Sequence, residues 1–163
     1  MRGASCTIPA VLNLVAQLIL AAATCQGTAT EIVVDVTAHE LFLCEKGEQK
    51  AEYKVALGSG GIGKEREGDA KTPLGVYPLA PGRHSDLFHT FILLGYPTKA
   101  QRTKGMTGGA VGVHGPARST AALGALNVAT DWTLGCIAVS SDAQIDAIAA
   151  WMKTAGCTSI RLE

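Results

Sequence analysis

A single, mainly β domain with one late amphipathic helix is the fold class that this sequence predicts. Three observations carry it. Short β-rich runs recur from Glu31 onward, separated by turns rich in Gly and Pro. The apolar period lengthens from two to 3.6 residues at one place only, near Ile145. No repeat and no second apolar core interrupts the 163 residues, a length suited to one domain with a real core.

The first strand is "EIVVDVT", 31–37, in which Ile32, Val34 and Val36 fall on one face. "ELFLCEKGEQKAEYKVAL" reads as a hairpin about the turn Lys46-Gly47-Glu48. A polar, Gly-rich stretch then runs from 58 to Thr72-Pro73, read as a flexible, solvated connection that can also line a groove. Further strands are "LGVYPL" at 74–79, "HTFILLGY" at 89–96 and "VGVH" at 111–114. "PTKAQRTKGMTGG", before the last of these, is a basic loop ending in glycines. Ile145, Ile148, Ala149 and Met152 share one helical face. Ser141 and Gln144 form a capping box at that helix's start, and Gly156 suits its stop. "TSIRL" closes the chain as a last strand.

The first thirty residues differ. Arg2 is the only early charge, and "IPAVLNLVAQLILAAA" is apolar except for Asn13 and Gln17, with small residues after it. This is the layout of a secretory signal peptide over 1–29, with the domain at 30–163 and cleavage after Ala23 or Ala29. A spanning helix wants about 20 apolar residues and this run is shorter, so membrane contact is expected only if the segment stays uncleaved. Thr24 and Ala22 make Cys25 a poor lipidation site. The expected location is therefore outside the cytoplasm, in the periplasm or cell envelope. Loss of Cys6 and Cys25 with the leader leaves Cys44, Cys136 and Cys157, which gives one pair and a free thiol or three free thiols. Cys44 and Cys157 pair in an oxidising compartment if their strands are neighbours.

Lys plus Arg and Asp plus Glu each number 14, so no basic excess favours nucleic acid. There is no C-x-x-C pair, and His39, His84 and His89 lack ligand spacing, so no metal is expected. "GSGGIGKE" holds G-x-G-x-x-G at Gly58, Gly60 and Gly63 and nearly spells a phosphate loop. Both motifs need a helix directly after the glycines, whose amides hold the anion. Here Glu65, Arg66, Glu67, Gly68 and Asp69 follow without an apolar period, and three acids would repel a phosphate. No nucleotide is expected.

Two residues carry nucleophilic chemistry. Cys136, in "DWTLGCIAVS", follows the bulk-free Gly135 and opens a strand of alternating Ile137 and Val139. His114 ends a strand at Gly115-Pro116, where its ring meets a loop. A thiol needs a lowered pKa or a neighbouring base, and His114 is the candidate base. Taken alone, a buried structural cysteine is the competing reading.

His114-Gly115 followed by Thr133-Leu134-Gly135-Cys136 resembles the L,D-transpeptidase (YkuD-type) catalytic domain, and "GCIAVS" looks like a branch of it in which hydrolysis is known. "VVDVTAHELFLCEKG", "GDAKTPLGVY" and "LLGYP" occur in that family's order, so the resemblance spans the chain from about residue 31. It implies a β-sandwich or barrel and peptidoglycan stem peptides as substrate, with no cofactor. It also implies a Cys136 acyl-enzyme, His114 as base, backbone N–H groups around Gly135-Cys136 for the oxyanion, and help from the Thr133 hydroxyl. Tyr96, Gly115 and Arg118 are candidate substrate contacts. The chain departs from the family in three ways: Leu134 replaces a second His, Ala138 replaces an Arg, and the His-to-Cys interval is somewhat long. The missing Arg leaves open how a substrate carboxylate is held, with Arg102, Lys104 and Arg118 as candidates. Transfer to an amine, hydrolysis as a carboxypeptidase or amidase, and a non-catalytic wall-binding module are the readings to separate.

Overall fold

The computed structural model describes residues 25–163; the candidate leader up to residue 24 lies outside the described residues. Among the described residues one curled, nine-stranded sheet has the order β4-β9-β1-β2-β3-β8-β7-β6-β5. The strands are β1 Glu31–Asp35, β2 Glu40–Glu45, β3 Glu48–Ala56, β4 Gly75–Pro78, β5 Arg83–Ser85, β6 His89–Leu93, β7 Gly112–His114, β8 Ile137–Val139 and β9 Ser159–Leu162. Pairs β1–β9 and β7–β8 are parallel and the rest antiparallel. β3 is long enough to serve both halves: its start pairs with β2, and Val55 and Ala56 pair with Val139 and Ala138.

Alternation decides which way each residue points. Ile32, Val34 and Val36 enter the main core with Leu41, Leu43, Val55, Ile137 and Ile160. Val33 and Phe42 point to the other face, where they form a small cluster with Cys25 and Cys44. The late helix, α2, runs Asp142–Ala155 and lies against β6. Ser141 caps it by accepting from the Gln144 N–H, and Gly156 ends it at φ 70°. Ile145 and Ile148 are fully buried. Burying such a side chain contributes about 1.5–3 kcal/mol, which fixes the helix on the sheet.

Three features depart from expectation. The basic loop contains a short helix, α1 Lys99–Thr103, whose Thr98–Gln101 capping box is complete but which buries no residue. β5 has mostly exposed side chains and was not anticipated. The disulfide joins Cys25 to Cys44, not Cys44 to Cys157. The order β9-β1-β2 separates β2 from the end of the chain, and Cys44 points to the outer cluster while Cys157 belongs to the main core. Cys157 is a buried free thiol donating to the Ser159 carbonyl at 3.5 Å. The segment from Cys25 is thus part of the folded unit. It lies so close to the hairpin turn that a Cβ on Gly47 would stand 2.1 Å from the Gly27 oxygen. Of the two candidate cleavage positions, only the one after Ala23 keeps Cys25 on the chain.

Candidate active site

The parallel pairing of β7 with β8 sets Val113 beside Ile137 and His114 beside Ala138. Cys136 lies one residue before β8, so this register brings it to the level of Gly112. His114 and Cys136 line one cavity of about 740 Å³, with Phe88, Phe91, Trp132 and Leu134 among its walls.

His114 is 1% exposed inside a ring of aromatics. Phe88 stacks on it at 4.0 Å, Phe91 lies nearly parallel at 5.8 Å, and Trp132 meets it edge-on at 5.8 Å. Phe91 is the register partner of His114 on β6. Its ring covers Gly112, where a Cβ would come within 2.5 Å of it, so this position needs glycine. Nδ1 lies 2.7 Å from the Gly115 carbonyl, which can only accept. The proton therefore sits on Nδ1, and Nε2 carries the free lone pair. Burial pushes the imidazole down to about 4, against a small upward pull from that hydrogen bond. At neutral pH His114 is an unprotonated base.

This has a consequence in acid. An unfolded histidine titrates near 6.5, so between that value and about 4 the unfolded chain binds a proton that the folded chain refuses. Stability from neutral His114 is complete above pH 6.5 and is lost as pH falls towards 4, by about 3 kcal/mol in all. In the same way, the acid limb of kcat/KM is expected near pH 4 and not near 6.5. A pH–rate profile checks this: an acid limb at the ordinary histidine value would contradict a buried neutral base.

Cys136 donates its thiol to the Ala110 carbonyl at 3.6 Å. Burial pushes the thiol up; the Gly112 backbone and the Lys64 charge oppose this without reversing it. Burial thus favours the uncharged form of both groups, the thiol and the imidazole. The turn before the cysteine is pinned from both sides. The Thr133 hydroxyl donates to the Cys136 carbonyl at 2.7 Å and accepts from the Gly135 N–H at 3.1 Å. The Thr133 backbone donates to Leu57 O at 3.1 Å and accepts from Ser59 at 2.9 Å. Gly135 has φ 122°, and a Cβ there would lie 2.5 Å from Lys71 O, so no other residue fits without moving the loop. The Gly135 N–H and the Thr133 hydroxyl are thus committed to each other.

Of the glycines of "GSGGIGKE", Gly58 and Gly60 are explained by packing and Gly61 and Gly63 by their φ of 88° and 80°. Residues 58–72 fold back on themselves through Gly60 N–H to Ala70 O at 2.9 Å and Thr72 N–H to Gly61 O at 2.8 Å. A Cβ on Gly58 or Gly60 would stand 2.2 Å from the Ala70 or Asp69 oxygen. No helix follows them. Lys64 crosses under the cysteine turn, its Cδ 3.8 Å from where a Gly135 Cβ would be. It ends on Asp69 at 2.6 Å, with the two side chains only 4% and 9% exposed. Asp69 also accepts from the N–H groups of Glu65, Arg66 and Lys71. Burial works against its ionisation, but these bonds hold its carboxyl well below the usual range. The stretch is therefore solvated along much of its length, with 59–62 and 65–68 exposed, but it is braced by a buried ion pair.

His114, Thr133, Cys136 and Arg118 line the cavity, and Gly135 and Gly115 adjoin it in sequence. Tyr96 does not line it: its ring is buried edge-on to Tyr77, and its hydroxyl donates to Lys64 O at 3.1 Å. Arg102 and Lys104 are also absent from the walls; Arg102 donates to the Pro97 carbonyl. The other histidines pair with acids away from the cavity walls, His39 with Asp131, His84 with Asp86 and His89 with Asp146. Sequence reasoning missed the aromatic cage and the Lys64–Asp69 brace. A cue for the brace was present in the lysine of "GIGKE", read only as a failed phosphate motif.

A family model described as the L,D-transpeptidase catalytic domain, YkuD, matches residues 29–160. Among solved structures, the chain is similar to the helical cell shape determining protein Pgp2 of Campylobacter jejuni, with 21% identity and a TM-score of 0.64 over 81% of this chain and 46% of that one. It is similar to Bd1075 of Bdellovibrio bacteriovorus, with 23% identity and a TM-score of 0.60 over 87% and 52%. It is also similar to an L,D-transpeptidase of Xylanimonas cellulosilytica, with 18% identity and a TM-score of 0.51 over 85% and 62%. The chain thus spans about half to three-fifths of these proteins' lengths. No curated protein matches it. With the family model covering most of its length, the chain belongs to the L,D-transpeptidase catalytic domain family.

Proposed function

We propose that the chain is a cysteine-dependent L,D-transpeptidase acting on peptidoglycan stem peptides outside the cytoplasm, through an acyl-enzyme on Cys136. The observation that carries this is that a thiol and a buried, unprotonated imidazole line the same cavity. Nε2 of His114 takes the thiol proton as sulfur attacks the carbonyl of the third, L-centred residue. The Cys136 N–H faces the oxyanion; losing such a donor typically costs about 3–4 kcal/mol. As the C–N bond breaks, His114 returns the proton to the leaving amine. An acceptor amine, or water, then releases the acyl group and restores the thiol. Thr133, Gly135 and the Lys64–Asp69 brace hold the cysteine turn in place. The likeness to a cell shape determining protein and to an L,D-transpeptidase supports a cell-wall substrate. A catalytically silent wall-binding module has no use for a base and a thiol arranged in this way.

The test is a digest of a tetrapeptide-bearing muropeptide, with and without an added D-amino acid, read by mass spectrometry. Exchange of the terminal residue for the added one is expected. Tripeptide alone at saturating acceptor would contradict transpeptidation while leaving the Cys136 chemistry in place.

A further inference from the structure

We propose that Asp142 determines leaving-group specificity: it occupies the guanidinium of Arg118, so the active-site cavity has no free receptor for a carboxylate. Resting on the function proposed above, this makes the favoured scissile bond one whose leaving residue continues as a neutral amide, the exchange of a free terminal residue being the slower reaction of the same site.

The leaving nitrogen must reach His114 to receive its proton, so the leaving residue lies in the cavity that His114 lines. Among the residues lining that cavity, the one formally charged side chain is Arg118. Its Nη1 donates to Asp142 Oδ2 at 2.8 Å, and its Nη2 donates to Asp142 Oδ1 and to the Pro116 carbonyl. A two-pronged pair of this kind is the stronger geometry for arginine, even with each partner about a third exposed (37%). Asp142 is favoured where it stands, in the first turn of α2. Asp146 is on the next turn, bonded to His89 at 2.8 Å and to the Thr90 hydroxyl at 2.9 Å. A carboxylate approaching Arg118 therefore meets the Asp142 carboxylate already in place. Lys64, the cation whose charge reaches Cys136, is bound to Asp69. The position two residues beyond Cys136 is Ala138, fully buried in β8, and supplies no charge. The aromatic and aliphatic walls make an unpaired carboxylate costly to bury. The volume, about 740 Å³, is many times what a single alanine needs.

The test uses three synthetic stem peptides, identical through the third residue. They continue as D-alanine with a free carboxylate, as D-alanine amide, or as D-alanine extended by one further amidated residue. For the wild-type chain, kcat/KM on either neutral peptide is expected to exceed that on the acid by about tenfold or more. Asp142→Asn frees Arg118 and is expected to raise the acid relative to the amide several-fold; adding Arg118→Gln abolishes the gain. Turnover of the amide reports that each variant is folded. Equal or better cleavage of the acid by the wild type, or an acid-to-amide ratio unmoved by Asp142→Asn, overturns the proposal. Failure to cleave any of the three overturns the proposed function and this inference with it, which keeps the two failures distinct.

Discussion

Cys136→Ala is expected to reduce turnover of stem peptides by about 10⁴-fold or more, because the bond-forming atom is removed and the remaining groups act only through it. The fold is expected to survive. The thiol's partners are backbone groups, the Ala110 carbonyl at 3.6 Å and the Gly112 backbone, and the sulfur lines a cavity instead of filling the core. The turn is held by Thr133, whose bonds run to the backbone at 135 and 136 and do not involve the sulfur. Steady-state kinetics beside a thermal melt check both halves. Residual activity within about tenfold of wild type would remove Cys136 as nucleophile, and a large fall in the melting midpoint would make its role structural.

Asp69→Ala is expected to cost about 3–5 kcal/mol, the largest stability effect anticipated here. The Lys64 side chain is 4% exposed and would lose its carboxylate partner, leaving its Nζ the Arg66 carbonyl. The N–H groups of Glu65, Arg66 and Lys71 would lose their shared acceptor at the same time. For a domain of this size, that is a fall in melting midpoint of about 10 °C or more. Activity should fall further than the unfolded fraction explains, because the Lys64 stem lies under Gly135. Lys64→Met is expected to be milder, since Asp69 keeps three backbone donors and the apolar stem remains. Denaturant titration of the two variants checks the order; equal costs would mean that the ion pair does not brace the turn.

The β1–β2–β3 meander and α2 were legible because each writes its period into a run longer than one turn. Ile32, Val34 and Val36 alternate, and Ile145, Ile148 and Met152 step along one helical face. β5 and α1 were not, because Arg83–Ser85 buries little and Lys99–Thr103 buries nothing, so neither carries a period. At the site, His114 and Cys136 stood out through their flanking glycines. Their surroundings depend on register, which a sequence does not specify: Phe91 reaches His114 because it is its cross-strand partner. Lys64 and Asp69 meet through a folded-back loop without periodicity. Cys25 was hidden by composition, since small residues after an apolar run read as the end of a leader, whereas the fold uses that cysteine to hold β2.

The decisive measurement is the intact mass of the protein quenched during turnover of a stem peptide, followed by mapping of the adduct. The expected species carries the acyl portion of the peptide on Cys136 as a thioester, accumulates when acceptor is withheld, is discharged by added amine, and is missing in Cys136→Ala. An acyl group found on another residue, or turnover that proceeds with no covalent species and persists in Cys136→Ala, would contradict a cysteine acyl-enzyme.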